Sequence, residues 1–232
     1  MRHARHYPQG AHVMTAATAI LMIDVQKMYL DQARRDLLGW PPIWRLGEVV
    51  QECRHLLADG RAADIPVIYT RAVHRPDDAD VPPRMRRFLA SVTRDGAAPL
   101  PAQSPDSLQI MDEVAPEPGD IVIDKLRWDA FHYTELDPVL RNLGARRLIV
   151  AGLQTNVCVE TTARAAMMRN YEVAVPEDAV STDGTALHAS ALDAMRVLYI
   201  EVAPWRELIV PGAAWDRAFT TPHYGRTAPP SP

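Results

Sequence analysis

Cysteine is scarce in this chain, and so is lysine. The two cysteines, Cys53 and Cys158, are too few for a disulfide framework, and no Cys-x-x-Cys pair occurs. In a reducing compartment both stay free thiols. Lys27 and Lys125 are the only lysines among 25 basic residues, the rest being arginine. Arginine is a permanent, delocalised cation, whereas lysine is a compact charge that burial and neighbours can tune. A lysine at the end of a buried strand therefore stands out. No apolar run reaches membrane-spanning length, and Met1–Gly10 lacks the apolar centre of a secretory leader. These absences predict a cytoplasmic protein. The net charge of -4 offers no positive surplus for nucleic acid or an anionic membrane. Also missing are Gly-x-Gly-x-x-Gly, a phosphate loop, Gly-x-Ser-x-Gly and His-Glu-x-x-His. Dinucleotide enzymes, nucleotide hydrolases, serine hydrolases and zinc proteases all lose support with them. No repeat or low-complexity block appears.

A chain of 232 residues can bury a sizeable core without covalent staples. Residues 1–16 and 219–232 lack hydrophobic periodicity and read as disordered tails, leaving 17–218 as one domain. Within it, strand-like and helix-like segments alternate. Ala19–Ile23 is an apolar run ending in Asp24-Val25-Gln26, the pattern of a fully buried strand. Residues 46–60 carry apolar positions at helical spacing and close at Gly60. Strands follow at 65–71 and 121–123, a helix at 136–144 and a strand at 148–151. A helix at 156–170, a strand at 171–175, a helix at 185–198 and a strand at 198–202 complete the series. Such alternation predicts an α/β fold: a doubly wound, mostly parallel sheet with helices on both faces. Lys27–Trp44 and Ala72–Pro118 interrupt it. Both stretches are rich in Pro and Arg, and they read as active-site walls, as oligomer contacts or as plain surface excursions.

The chemistry-bearing candidates sit at strand ends. Gly152-Leu153-Gln154-Thr155-Asn156-Val157-Cys158 runs from a buried strand through a polar turn into a helix, with Cys158 in its first turn. Unpaired N–H groups there favour an anion, and thiol pKa values fall at such positions. The alternative is that Cys158 is a small buried hydrophobe. Cys53 lies on the apolar face of the 46–60 helix and reads as core. A nucleophilic cysteine needs a proton acceptor. Most of the eight histidines are poorly placed for it, and only His74 and His132 follow strands. Asp24 fits better, though a lone Asp can also cap a turn. Lys125 ends the third strand and could equally be a solvated charge. Together they would set an acid, a cation and a thiol at the carboxyl ends of parallel strands, where doubly wound sheets keep their sites.

Read side by side, Leu21-Met22-Ile23-Asp24-Val25-Gln26, Asp124-Lys125 with Ala130-Phe131 and Thr134, and Val150–Ala163 around Thr155-Asn156-Val157-Cys158-Val159-Glu160 resemble the isochorismatase-like cysteine hydrolases. That family includes nicotinamidase, N-carbamoylsarcosine amidase, ureidoacrylate hydrolase and biuret hydrolase. The wording around Cys158 is most similar to the ureido and biuret branch. The resemblance implies a six-stranded parallel sheet and an Asp–Lys–Cys triad, which falls on Asp24, Lys125 and Cys158. It implies a cis peptide at Leu153–Gln154 and an oxyanion hole from the backbone N–H groups of Gln154 and Cys158. The implied activity is hydrolysis of a non-peptide C–N bond in a small amide, ureido or cyclic amide compound through a thioester. A homodimer or homotetramer is the implied assembly. Phe131, His132, Trp128, His74, Tyr29 and Gln26 are the expected substrate contacts.

The sequence departs from the nicotinamidase-like members at their Asp-x-His…His metal site. Here Ala72 stands at the Asp position, and His74 has no second histidine after it. One histidine is too few for a metal, so neither a catalytic metal nor any other cofactor is expected. True isochorismatases typically lack the nucleophilic cysteine, which argues against vinyl-ether cleavage. Hydrolysis of an ester or vinyl ether, or a non-catalytic binding role, are the competing readings; thiol redox chemistry is disfavoured without a resolving cysteine.

Overall fold

A computed structural model describes residues 17–75, 77, 79–92 and 105–209. The expected tails at 1–16 and 219–232, and the end of the expected domain at 210–218, lie outside the described residues. The apolar run of β1 (Ala17–Ile23) forms the middle of the sheet. On one side it pairs with β2 (Val67–Ala72), which pairs with β3 (Ile121–Lys125). On the other side it pairs with β4 (Ala145–Leu153), followed by β5 (Glu172–Pro176) and β7 (Glu201–Ala203). A two-residue strand, β6 (Val180–Ser181), also pairs with β4. Among the described residues the sheet thus has seven strands in the order β3-β2-β1-β4-β5-β7 with β6 beside β4, and every pairing of these strands is parallel. The count exceeds the expected six because a two-residue strand leaves no hydrophobic period in a sequence.

Alternate residues of a strand face opposite sides of a sheet, and β1 shows this from Ala19 to Ile23. Ala19, Leu21 and Ile23 join one apolar layer with α4 (Leu136–Asn142), α5 (Glu160–Met167) and α6 (Thr185–Val197). Ile20 and Met22 join the other with α2 (Leu46–Ala62) and α7 (Trp205–Leu208). On α2, Val49, Val50, Cys53, Leu56 and Leu57 are the buried stripe that the 3.6-residue period places on one side. A strand covered on both faces must be apolar throughout, which is why β1 reads as an unbroken hydrophobic run.

The two long interruptions are not structureless. A single 3-10 turn at Lys27–Tyr29 leads into α1 (Gln32–Leu38), and Pro83–Val92 forms α3. Leu38 and Val81 are buried against each other with Met85 packed beside them, a small apolar cluster apart from the main core that joins α1 to α3.

The helix expected over 156–170 is two pieces. A π-helical turn at Thr155–Val159 precedes α5, which stops at Met167. At Gly152, one residue before β4 ends, φ is +108°, and a Cβ there would lie 2.2 Å from the Ile23 carbonyl oxygen. Only glycine lets the two central strands close at this height.

Candidate active site

Two strand ends and the turn after a third strand bring three candidate side chains together. β1 stops at Asp24, whose φ is +48°. Its N–H donates to the Thr70 carbonyl at 3.2 Å, and Thr70 Oγ1 donates to Asp24 Oδ1 at 2.7 Å. Asp24 and Thr70 are both fully buried. Lys125 closes β3, and its Nζ reaches Asp24 Oδ2 at 2.7 Å, Cys158 Sγ at 3.4 Å and the Arg127 carbonyl at 2.9 Å. An ammonium has three N–H donors, and here three groups face them. The contact with Oδ2 sets an ammonium against a carboxylate, charge against charge. Such matching is needed, because a buried ion pair is favourable only when the desolvated groups find partners. Cys158 lies in the π-helical turn between β4 and α5, where the Val157 and Val159 N–H groups donate to the Gln154 carbonyl, each at 3.1 Å. The Leu153–Gln154 peptide that enters this turn is cis.

Electrostatics correct one expectation. Burial first, and then the charge of Asp24, push the Cys158 thiol up to about 12, with Lys125 pulling the other way. The helix start was expected to lower it; loss of water around the sulfur and a facing carboxylate outweigh that effect. The resting sulfur therefore carries its proton and needs a base to remove it. Burial alone would lower Lys125, but the charge of Asp24 opposes it and holds the ammonium above its ordinary value.

A cavity of about 380 Å³ opens over these groups, within the range of small-molecule sites. Asp24, Lys125, Gln154 and Cys158 form its floor. Of the expected substrate contacts, Tyr29, His74 and Trp128 are on its wall. His74 Nδ1 lies 3.0 Å from Asp80 Oδ2. Among the described residues no group of three His, Cys, Asp or Glu side chains is placed to hold a metal ion.

The other three expected contacts are not among the residues that line the cavity. Phe131 is 6% exposed and stacks on Tyr171 at 5.9 Å inside the core, away from the wall. Its N–H donates to Asp129 Oδ1 at 2.8 Å, and this tight turn directs the ring inward. His132 is exposed and lies against Tyr133. Gln26 is a clamp: its Oε1 accepts from the Ala72 N–H at 2.8 Å, and its Nε2 donates to the Leu108 carbonyl at 2.9 Å. It ties the exits of β1 and β2 to the 105–111 segment and does not reach the wall.

Sequence reasoning missed Trp40, Met85 and Phe88, which roof the cavity, and Arg127 and Asp183 on its sides. Met85 and Phe88 are three apart on α3, a helical spacing legible inside a Pro- and Arg-rich stretch. Arg127 follows Lys125 by two residues; its Nη1 donates to the Leu126 carbonyl at 2.7 Å, and among the described residues it pairs with no carboxylate.

The family model described as the Isochorismatase domain matches residues 18–207. The ureidoacrylate amidohydrolase RutB of Pseudomonas savastanoi pv. phaseolicola is 33% identical over 191 residues, covering 78% of this chain and 77% of the relative. A cysteine hydrolase from Pseudomonas syringae pv. phaseolicola superposes with a TM-score of 0.71 at 27% identity, over 89% of this chain and 97% of that one. N-carbamoylsarcosine amidase from Thermoplasma acidophilum gives a TM-score of 0.62 at 25% identity, over 82% and 97%. With this fold, these similarities and a cysteine in the turn after the fourth strand, the chain belongs to the isochorismatase-like cysteine hydrolase family.

Proposed function

We propose that this protein hydrolyses a non-peptide C–N bond of a small amide or ureido compound, with Cys158 as nucleophile, Asp24 as proton carrier and Lys125 as the charge that holds both. The observation that carries the reading is the placement of Lys125 Nζ, 2.7 Å from Asp24 Oδ2 and 3.4 Å from Cys158 Sγ at the floor of a cavity. Asp24 takes the thiol proton as the sulfur attacks the carbonyl carbon. A thiol held up at about 12 is a poor nucleophile until that transfer. The backbone N–H groups of Gln154 and Cys158 are assigned to the oxyanion, where one donor is typically worth about 2.7–4 kcal/mol. Asp24 returns the proton to the leaving nitrogen, and the amine departs from a thioester. Water, deprotonated by Asp24, then attacks the thioester. Collapse releases the acid, and the proton goes back to the sulfur.

Arg127 supports a substrate that also carries a carboxylate, since a guanidinium on the wall matches that group in shape and charge. Tyr29, His74 and Trp128 are assigned to its remaining surface. The reading extends to a cytoplasmic homo-oligomer; among the described residues no helix is long and apolar enough to cross a membrane.

The test is a screen of ureido, carbamoyl, primary-amide and lactam compounds for release of ammonia or amine. Cys158→Ala and Asp24→Asn should each lose at least a thousand-fold in kcat. Retention of most of the wild-type turnover in either variant would remove the mechanism.

A further inference from the structure

Two unlike sets of side chains line the cavity. Its floor is a carboxylate, an ammonium, a thiol and the Gln154 segment. Its roof is Trp40, Met85 and Phe88, with Trp128 and Tyr29 at the sides. These are not stray surface side chains. The small Leu38–Val81 cluster, with Met85 against it, holds α1 to α3. The turn between α1 and Trp40 is closed by the Trp40 N–H donating to the Arg35 carbonyl at 2.9 Å. Arg35 Nη1 in turn donates to the Tyr29 carbonyl at 2.5 Å, five residues beyond Asp24. The roof is thereby fixed relative to the reacting acid. Yet Trp40 remains 40% exposed, Phe88 47% and Trp128 60%, with part of that surface turned to the same cavity as Cys158. Apolar surface left open beside a reactive floor marks where an apolar partner sits.

We infer that the substrate carries an aromatic substituent on the scissile amide or ureido group, received by the roof of Trp40 and Phe88. A small ureido acid offers nothing to this surface, and about 380 Å³ leaves room for a ring beyond the reacting group. Ring-lined walls favour a ring over a chain, because offset and edge-to-face aromatic contacts add to simple burial. The inference rests on the amide and ureido hydrolase reading and narrows its substrate class.

Matched pairs test it: acetamide against phenylacetamide, methylurea against benzylurea, and carbamoylglycine against carbamoylphenylalanine. Within a reacting pair the aromatic member should lead in kcat/KM by roughly ten- to hundred-fold, the effect of burying a Phe-sized ring. Trp40→Ala and Phe88→Ala should each shrink that ratio several-fold, chiefly through KM of the aromatic member, and Phe88→Leu should restore part of it. An aromatic member that does no better than its partner, whether both react or neither does, overturns the inference. Thiol labelling separates that failure from failure of the hydrolase reading. Cys158 that labels in the native enzyme, with turnover of any small amide, leaves the hydrolase standing. Absence of turnover on every compound, with Cys158 inert, removes both.

Discussion

Lys125 is the residue whose removal should be felt most widely. It is 1% exposed and faces a fully buried carboxylate. Replacing it by methionine keeps most of the volume and leaves the Asp24 charge without a counter-ion. Breaking one side of a buried pair costs about 3–5 kcal/mol, so chemical denaturation of Lys125→Met should show a loss of that order along with lost activity. Equal stability of the variant and the wild type would show that the Lys125–Asp24 pair does not support the fold. Much of this was legible at the residue level. An apolar run ending in an acid, a rare lysine at a strand end and a cysteine after a glycine-ended strand each point to the same edge of a sheet. Phe131 was not legible, because sequence order says nothing about the direction a turn gives a side chain. The Asp129 carboxylate that captures its N–H sends the ring into the core, while Trp128, three residues earlier, stays on the wall.

At the scale of elements, the turn that carries the cysteine is braced from α6. The buried hydroxyl of Thr155 lies 3.0 Å from His188 Nδ1, and the His188 ring packs on Trp44 at 5.4 Å. Burial holds the His188 pKa below its ordinary value of 6.5; the charges of Arg45 and Arg196 act in the same direction, and Glu177 acts against them. The folded state therefore binds this proton less readily than the unfolded chain. The stability so gained is complete above about 6.5 and is lost as pH falls through the folded value. Denaturant midpoints measured from pH 7.5 to 5 should decline, and His188→Gln should flatten the decline over that interval. A variant with the wild-type slope would place the titrating group elsewhere. Sequence periodicity exposed the long elements, β1 and α2, because each repeats its apolar spacing over several turns or pleats. It passed over α1, α3 and β6. α1 and α3 lie inside the Pro- and Arg-rich stretches read as interruptions, and β6 spans two residues, too few to carry a period.

Across the whole molecule, everything converges on the seam between β1 and β4, where the chain's path through the sheet reverses direction. Strands to one side of the seam carry Lys125, and strands to the other side lead to Cys158. Gly152 lets the seam close, so Gly152→Ala should force the Ile23 backbone away and strain a φ of +108°. A loss of about 2–4 kcal/mol is expected from the backbone strain and the overpacking together. Thermal melts with calorimetry check it, and an unchanged midpoint would show that the strands separate there without penalty. The same seam has a temporal meaning. Residues 24, 125 and 158 are far apart along the chain and share no local segment, so no partial product of synthesis can assemble them. A ribosome-bound chain that has not yet released β4 and the turn after it holds neither a carboxylate beside sulfur nor the cavity above them. Under the proposed mechanism, reactivity toward the carbonyl compounds around it begins only when selectivity does.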